Sequence, residues 1–222
     1  MSLTGDLSTR HAALWEAMVT HPFVTEMGDG TLPVAKFQNY FVEDFVFVRD
    51  LVKMVALGIS KAPGFAEATV LNRFLEGVLD PEGDLFERAF QQMGVSEEQY
   101  TSASASPTTR AFGDFLVRTG YEGDFFDIAT VLFVTEGTYL DWGTRLISAG
   151  KKPDNAIYDE WITIHGPDVL GELVEWLGSY LDSADLSPAR VRRADDLFLT
   201  ALRYECLFWE AGERDWGLAS GD

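Results

Sequence analysis

The chain has 222 residues, of which 46% are hydrophobic, enough for a sizeable core and too many for a disordered segment. Its 36 acidic residues stand against 17 basic ones, a formal net charge of -19 that repels phosphate backbones and anionic lipid. Nucleic acid and membrane surfaces are therefore not expected partners, and so acidic a surface is expected of a halophilic source, where salt screens self-repulsion.

The N-terminal stretch has neither the basic start nor the apolar core of a signal peptide, and a first helix is expected over residues 8–21, stopped by Pro22. Gly28, Asp29 and Gly30 mark a turn. Pro33 suits a first helical position, and the run 33–62 carries Phe37, Tyr40, Phe41, Val48, Leu51 and Val52 at the 3.6-residue period. A further helical stretch covers residues 63–93 and is interrupted at Asp80-Pro81. Ser96 to Gln99 fit a capping box for a short helix, and the small polar run 101–109 reads as a loop. Helices are then expected at 107–119, 125–148, 156–164 and 167–181. Ser187-Pro188 is a cap-and-start pair for a last helix reaching about residue 210. No hairpin signal and no internal repeat appears. The pattern predicts an all-α bundle of about seven to nine helices in a single domain over residues 1–222.

Three carboxylates fall on apolar helix stripes. Asp44 follows Phe37, Tyr40 and Phe41 by seven, four and three residues. Glu205 stands in the same relation to Phe198, Ala201 and Leu202, and Glu136 lies between Leu132-Phe133 and Tyr139-Leu140. A charge in a dry core is costly, so such groups are paired, protonated or functional. One reading ties each to a basic or polar neighbour for structure, with Arg110, Arg145 and Arg203 available. The other gathers them in one pocket, where carboxylates suit a heteroaromatic amine. Three cases on three long helices tilt the balance to the pocket.

The remaining chemistry-bearing residues are few. His21 is expected to make a structural hydrogen bond in a His-Pro-Phe turn, and His11 to be exposed. His165 precedes Gly166-Pro167, where it fits a helix C-terminal cap or, in a pocket, an acid-base or substrate contact. Phe65, Phe74, Phe86 and Phe90 read as core. Glu82, Asp84 and Glu87 read as a solvated acidic face, and Arg190, Arg192 and Arg193 as too short a basic run for nucleic acid. No Glu-x-x-His pair appears and no metal is assigned. Cys206 is the one cysteine, which precludes an intrachain disulfide and fits a reducing, cytoplasmic compartment.

Taken in order, His21-Pro22-Phe23-Val24, Gly28-Asp29-Gly30-Thr31-Leu32-Pro33, Phe37, Tyr40 and Glu43-Asp44 resemble the start of the TenA (thiaminase II) family. Ser106-Pro107-Thr108 fits its middle, and Tyr204-Glu205, Phe208-Trp209, Ala211 and Trp216 its end. The resemblance implies a haem-oxygenase-like helical bundle, usually a homotetramer, with no cofactor. It also implies thiamin salvage, in which aminopyrimidines or thiamin are hydrolysed to hydroxymethylpyrimidine. In those terms Asp44 contacts the amino group and ring nitrogen of the pyrimidine, Glu205 serves proton transfer, and Tyr139 matches a site tyrosine. Thr135 stands where the family has its nucleophilic cysteine, and a threonine hydroxyl without a general base is a poor substitute. Cys206 is turned about 100° from Glu205 along the helix and reads as a spectator. Phe47 and Phe112 occupy places commonly held by tyrosines, and His165 stands near another. A branch of the family lacks the cysteine and is associated with a glutamate-based site. Glu136 is the candidate for that carboxylate, or else pairs with a basic residue between subunits. The expected protein is a hydrolase of an aminopyrimidine or its formyl derivative, with Glu205 and Glu136 moving protons and Asp44, Tyr139, Phe47, Phe112, Thr135 and His165 holding the ring. The alternative is a non-catalytic binder of a small aromatic ligand.

Overall fold

The computed structural model describes residues 2–213, with the side chains of 81–83 and 212–213 left aside; Trp216 and the side chain of Glu82 lie outside the described residues. Among the described residues there are twelve α-helices, one π-helical turn and no strand, which bears out the all-α reading and exceeds the expected number of helices. None of these helices is long and apolar enough to cross a membrane.

The extra helices arise where tertiary contacts divide long periodic runs. The expected helix over 8–21 is two, α1 (Leu3–Arg10) and α2 (Ala12–Val19), broken at His11. His11 is not exposed. Its Nε2 lies 2.7 Å from Asp195 Oδ1 and its ring stacks on Phe198 at 5.6 Å. α3 (Pro22–Gly28) was not foreseen; His21 caps it, its Nδ1 accepting from the Phe23 N–H at 3.2 Å, which is the structural bond expected of it. Pro33 is the cap of α4 (Val34–Lys61) rather than its first residue. α5 (Phe65–Gly77) passes through a π-helical turn (Val78–Glu82) into α6 (Gly83–Met93). Pro81 brings no N–H to the turn.

α7 (Glu97–Ser102) opens on the capping box read from the sequence, with the Ser96 hydroxyl accepting from Gln99 N–H and the Gln99 side chain accepting from Ser96 N–H. The expected loop over 101–109 shrinks to residues 103–106. α8 (Pro107–Glu122), α9 (Phe125–Ser148), α10 (Ala156–Ile164), α11 (Pro167–Asp182) and α12 (Pro188–Glu213) follow the expected pattern, α8 ending later than predicted.

Two compact units organise the chain. One comprises the residues up to Thr31 with Phe126–Cys206; the other comprises Leu32–Phe125 with the described residues from Leu207. In the first, α9 carries a core of Ile128, Val131, Leu132, Val134 and Trp142, joined by Trp161, Leu177, Phe198 and Leu202. Asp127, buried at the start of α9, takes Arg193 at 2.7 Å and Arg190 at 3.1 Å, so two members of the basic run serve one internal carboxylate. In the second, α4 packs on α8. Gly120 admits the approach: a methyl there would stand 2.8 Å from Leu57 and 3.4 Å from the Met54 backbone. Lys61 donates from Nζ to the carbonyls of Gly120, Tyr121 and Gly123 at 2.6, 3.0 and 2.6 Å, closing the C-terminal end of α8 with a cation. Phe86 and Phe90 are core, as expected, and Phe41 lies 4.6 Å from Phe86. Phe74 is half-buried, and Phe65 is 93% exposed at the start of α5, so it is not a core residue.

Candidate active site

In the second unit, α4 turns Tyr40, Glu43, Asp44 and Phe47 inward, all buried. The stripe placement of Asp44 is correct, since only 4% of it is exposed. Phe47 lies 4.6 Å from Phe112 and 5.2 Å from Phe208, ring centre to ring centre, which joins the two expected wall residues and adds Phe208 as a third. Tyr40 meets Trp209 at 5.1 Å and Phe208 at 5.7 Å. Glu43 is as buried as Asp44. Both of its oxygens lie 3.2 Å from the Ser106 N–H, at the cap of α8, and burial raises its pKa against the bonds from Thr109 and Ser106. Glu43 thus ties α4, with Asp44 and Phe47, to α8, with Phe112. The sequence offered a signal for it, because Glu43 stands three residues after Tyr40 and four before Phe47 on the same apolar face.

In the first unit, α9 carries Thr135, Glu136 and Tyr139, α10 ends on His165, and α12 carries Glu205. Glu205 is 2% exposed and Glu136 8%, so the stripe argument holds for both. The Thr135 hydroxyl lies 3.0 Å from Glu136 Oε1 and 3.3 Å from the Leu132 carbonyl. Its one proton serves one acceptor at a time. Towards ionised Glu136 the hydroxyl donates; towards the protonated acid it accepts, and gives its own proton to Leu132. Burial outweighs that bond and pushes the Glu136 pKa up to about 7. The pair can therefore take or give a proton near neutral pH.

His165 is the C-terminal cap of α10, as expected, and is 7% exposed. Tyr139 lies 4.8 Å from its ring. Burial lowers its pKa to about 4, opposed by the bond to the Trp161 carbonyl. An acid-base role near neutral pH therefore does not fit this ring.

The arginines considered as structural partners go elsewhere. Arg110 and Arg203 are exposed, and Arg145 pairs with Glu16 at 2.8 Å and Asp141 at 2.7 Å. Cys206 is half-buried, with Sγ 3.7 Å from the Leu14 carbonyl. Asp84 is an exposed carboxylate bonded to Arg88, and Glu87 is exposed, consistent with a solvated face.

A model of the TENA/THI-4/PQQC family matches residues 8–215. The chain belongs to this family. A relative from Halalkalibacterium halodurans, named aminopyrimidine aminohydrolase, is 29% identical over 97% of this chain and 98% of its own. One of the same name from Bacillus subtilis is 26% identical over 98% of this chain and 92% of its own. Among solved structures, a TenA homologue from P. horikoshii OT3 superimposes with a TM-score of 0.86 at 24% identity, covering 96% of this chain and 98% of that one. A protein of heme oxygenase-like fold from Shewanella denitrificans does so with a TM-score of 0.75 at 15% identity, over 99% and 95% of the two chains. The family's helical fold is thus the fold of this chain, as the resemblance implied.

Proposed function

We propose that the chain is a hydrolase that replaces the exocyclic amine of an aminopyrimidine, or of its formyl derivative, by hydroxyl, giving the hydroxymethylpyrimidine used in thiamin salvage. The relatives' shared name supports the substrate class. The observation that carries the chemistry is Glu136, a buried carboxyl with a pKa of about 7 whose partner is the Thr135 hydroxyl. Such a group is poised to accept a proton from water at neutral pH. In this reading water adds to the carbon that bears the amine, Glu136 takes the water proton, and Glu205 protonates the departing nitrogen as the carbon–nitrogen bond breaks. Asp44 accepts from the ring amino group. The family resemblance assigns Phe47, Phe112 and Tyr139 to the ring, and Thr135 holds Glu136. Water attack replaces a covalent step, since the one cysteine, Cys206, is directed at Leu14.

The test incubates the pure protein with aminomethylpyrimidine and with its N-formyl form, and seeks hydroxymethylpyrimidine by mass spectrometry. Product is expected from one or both. Glu205→Gln is expected to abolish turnover and keep binding; unchanged turnover would remove that residue from the mechanism. A second reading, a non-catalytic binder, is favoured by the threonine at 135 in place of a thiol, and binding without product from either compound would establish it. The resemblance further implies a homotetramer, which sedimentation at working concentration would check, acting in the cytoplasm.

A further inference from the structure

We infer that His165 is a ligand-recognition residue, presenting a bare Nε2 as acceptor to an N–H of the bound molecule; this rests on the pyrimidine reading above. The tautomer follows from one bond. Nδ1 lies 2.7 Å from the Trp161 carbonyl oxygen, and a carbonyl can only accept, so Nδ1 carries the hydrogen. In a neutral imidazole Nε2 is then a lone pair. The low pKa given by burial agrees with a ring that stays neutral.

The ring is held on several sides. Trp161, Tyr139 and Trp142 lie 4.4, 4.8 and 5.2 Å from it. The backbone is held as well, because Gly143 lets α9 close on it: a methyl at Gly143 would stand 2.8 Å from the His165 carbonyl carbon. Among the described residues none donates a hydrogen bond to Nε2. The ring is 7% exposed and enclosed by these aromatic neighbours, so Nε2 offers its lone pair in a fixed direction. A rigid acceptor of this kind suits a donor that arrives with the ligand. An amine or a formamide N–H supplies one, while a carbonyl or ether oxygen would be repelled. His165 thus selects for an arm that carries a hydrogen-bond donor and transfers no proton itself.

The test uses nitrogen-15 NMR of the whole protein, in which three histidines give separable ring signals and His165→Gln identifies the relevant one. The probe is the aminopyrimidine with an aminoethyl arm in place of its aminomethyl arm, which keeps the N–H donor but places the nitrogen on a carbon that the ring does not activate for cleavage. Free protein is expected to show His165 protonated at Nδ1 and bare at Nε2. Saturating probe is expected to move the His165 Nε2 signal and leave those of His11 and His21 in place. His165→Phe is expected to weaken probe binding about tenfold or more, and His165→Gln, whose amide oxygen accepts, to retain most of the affinity. A protonated Nε2, an unmoved Nε2 signal at saturation, or unchanged affinity in the Phe variant overturns the inference alone. A probe that does not bind overturns it together with the pyrimidine reading. A moved signal in a protein that forms no product leaves it standing and removes the hydrolase.

Discussion

At the scale of single residues, Glu136 carries the sharpest thermodynamic signature. Its folded-state pKa is about 7 against an ordinary 4.5, so between these values the folded chain binds more protons than the unfolded one. Stability from this group is fully present below about pH 4.5 and is lost as pH rises through about 7. Glu136→Gln has no such loss. Urea unfolding is expected to show the variant gaining on the wild type from pH 5 upwards, to a plateau of up to about 3 kcal/mol above neutrality. A difference that stays constant with pH would show that Glu136 titrates alike in both states, and would leave it without a shifted pKa to offer catalysis. The same reasoning separates Glu136, bonded to Thr135, from His165, beside Tyr139: the first is tuned to exchange a proton and the second is tuned not to.

At the scale of elements, glycine placement decides how closely helices meet. Gly143 lies within α9 and is filled on its open side by the carbonyl end of α10 at His165. Alanine there gains about 1 kcal/mol of helix propensity. The obstructing atoms are backbone, which cannot turn aside as a side-chain tip can, so the overlap must separate the helices. Gly143→Ala is expected to be destabilised by about 1–2 kcal/mol in net. A variant as stable as the wild type would show that α10 shifts freely and that His165 is not held. Helix starts were legible in the sequence because caps are local: Ser96 with Gln99, Ser106 with Pro107, and Pro167 each act within one turn. The carboxylates Asp44, Glu136 and Glu205 were legible because a stripe is also local. The break at His11 was not, since its anchor, Asp195, lies 184 residues away. Nor was the role of Glu43, whose partner Ser106 lies 63 residues further along. The exposed Phe65 misled for the opposite reason, because periodicity marks a face but not whether anything covers it.

At the scale of the whole molecule, the net charge of -19 is the dominant long-range term. The observed ion pairs offset little of it locally: Arg118 with Glu122, Arg88 with Asp84 and Lys53 with Asp50 are exposed pairs within single helices, each worth less than about 1 kcal/mol. Folding concentrates the excess carboxylates, so their mutual repulsion opposes the folded state, and salt relieves it. Thermal unfolding measured from about 0.1 M to about 2 M KCl is expected to shift upward by several degrees. The form of the rise discriminates between two causes. Ordinary screening is nearly complete once the Debye length falls to about 3 Å near 1 M, so it gives an early plateau. A surface adapted to a salt-rich interior continues to gain stability beyond that point. Equal stability across the whole range would show that the acidic surface is spread widely enough to repel weakly, and would remove the basis for a halophilic source.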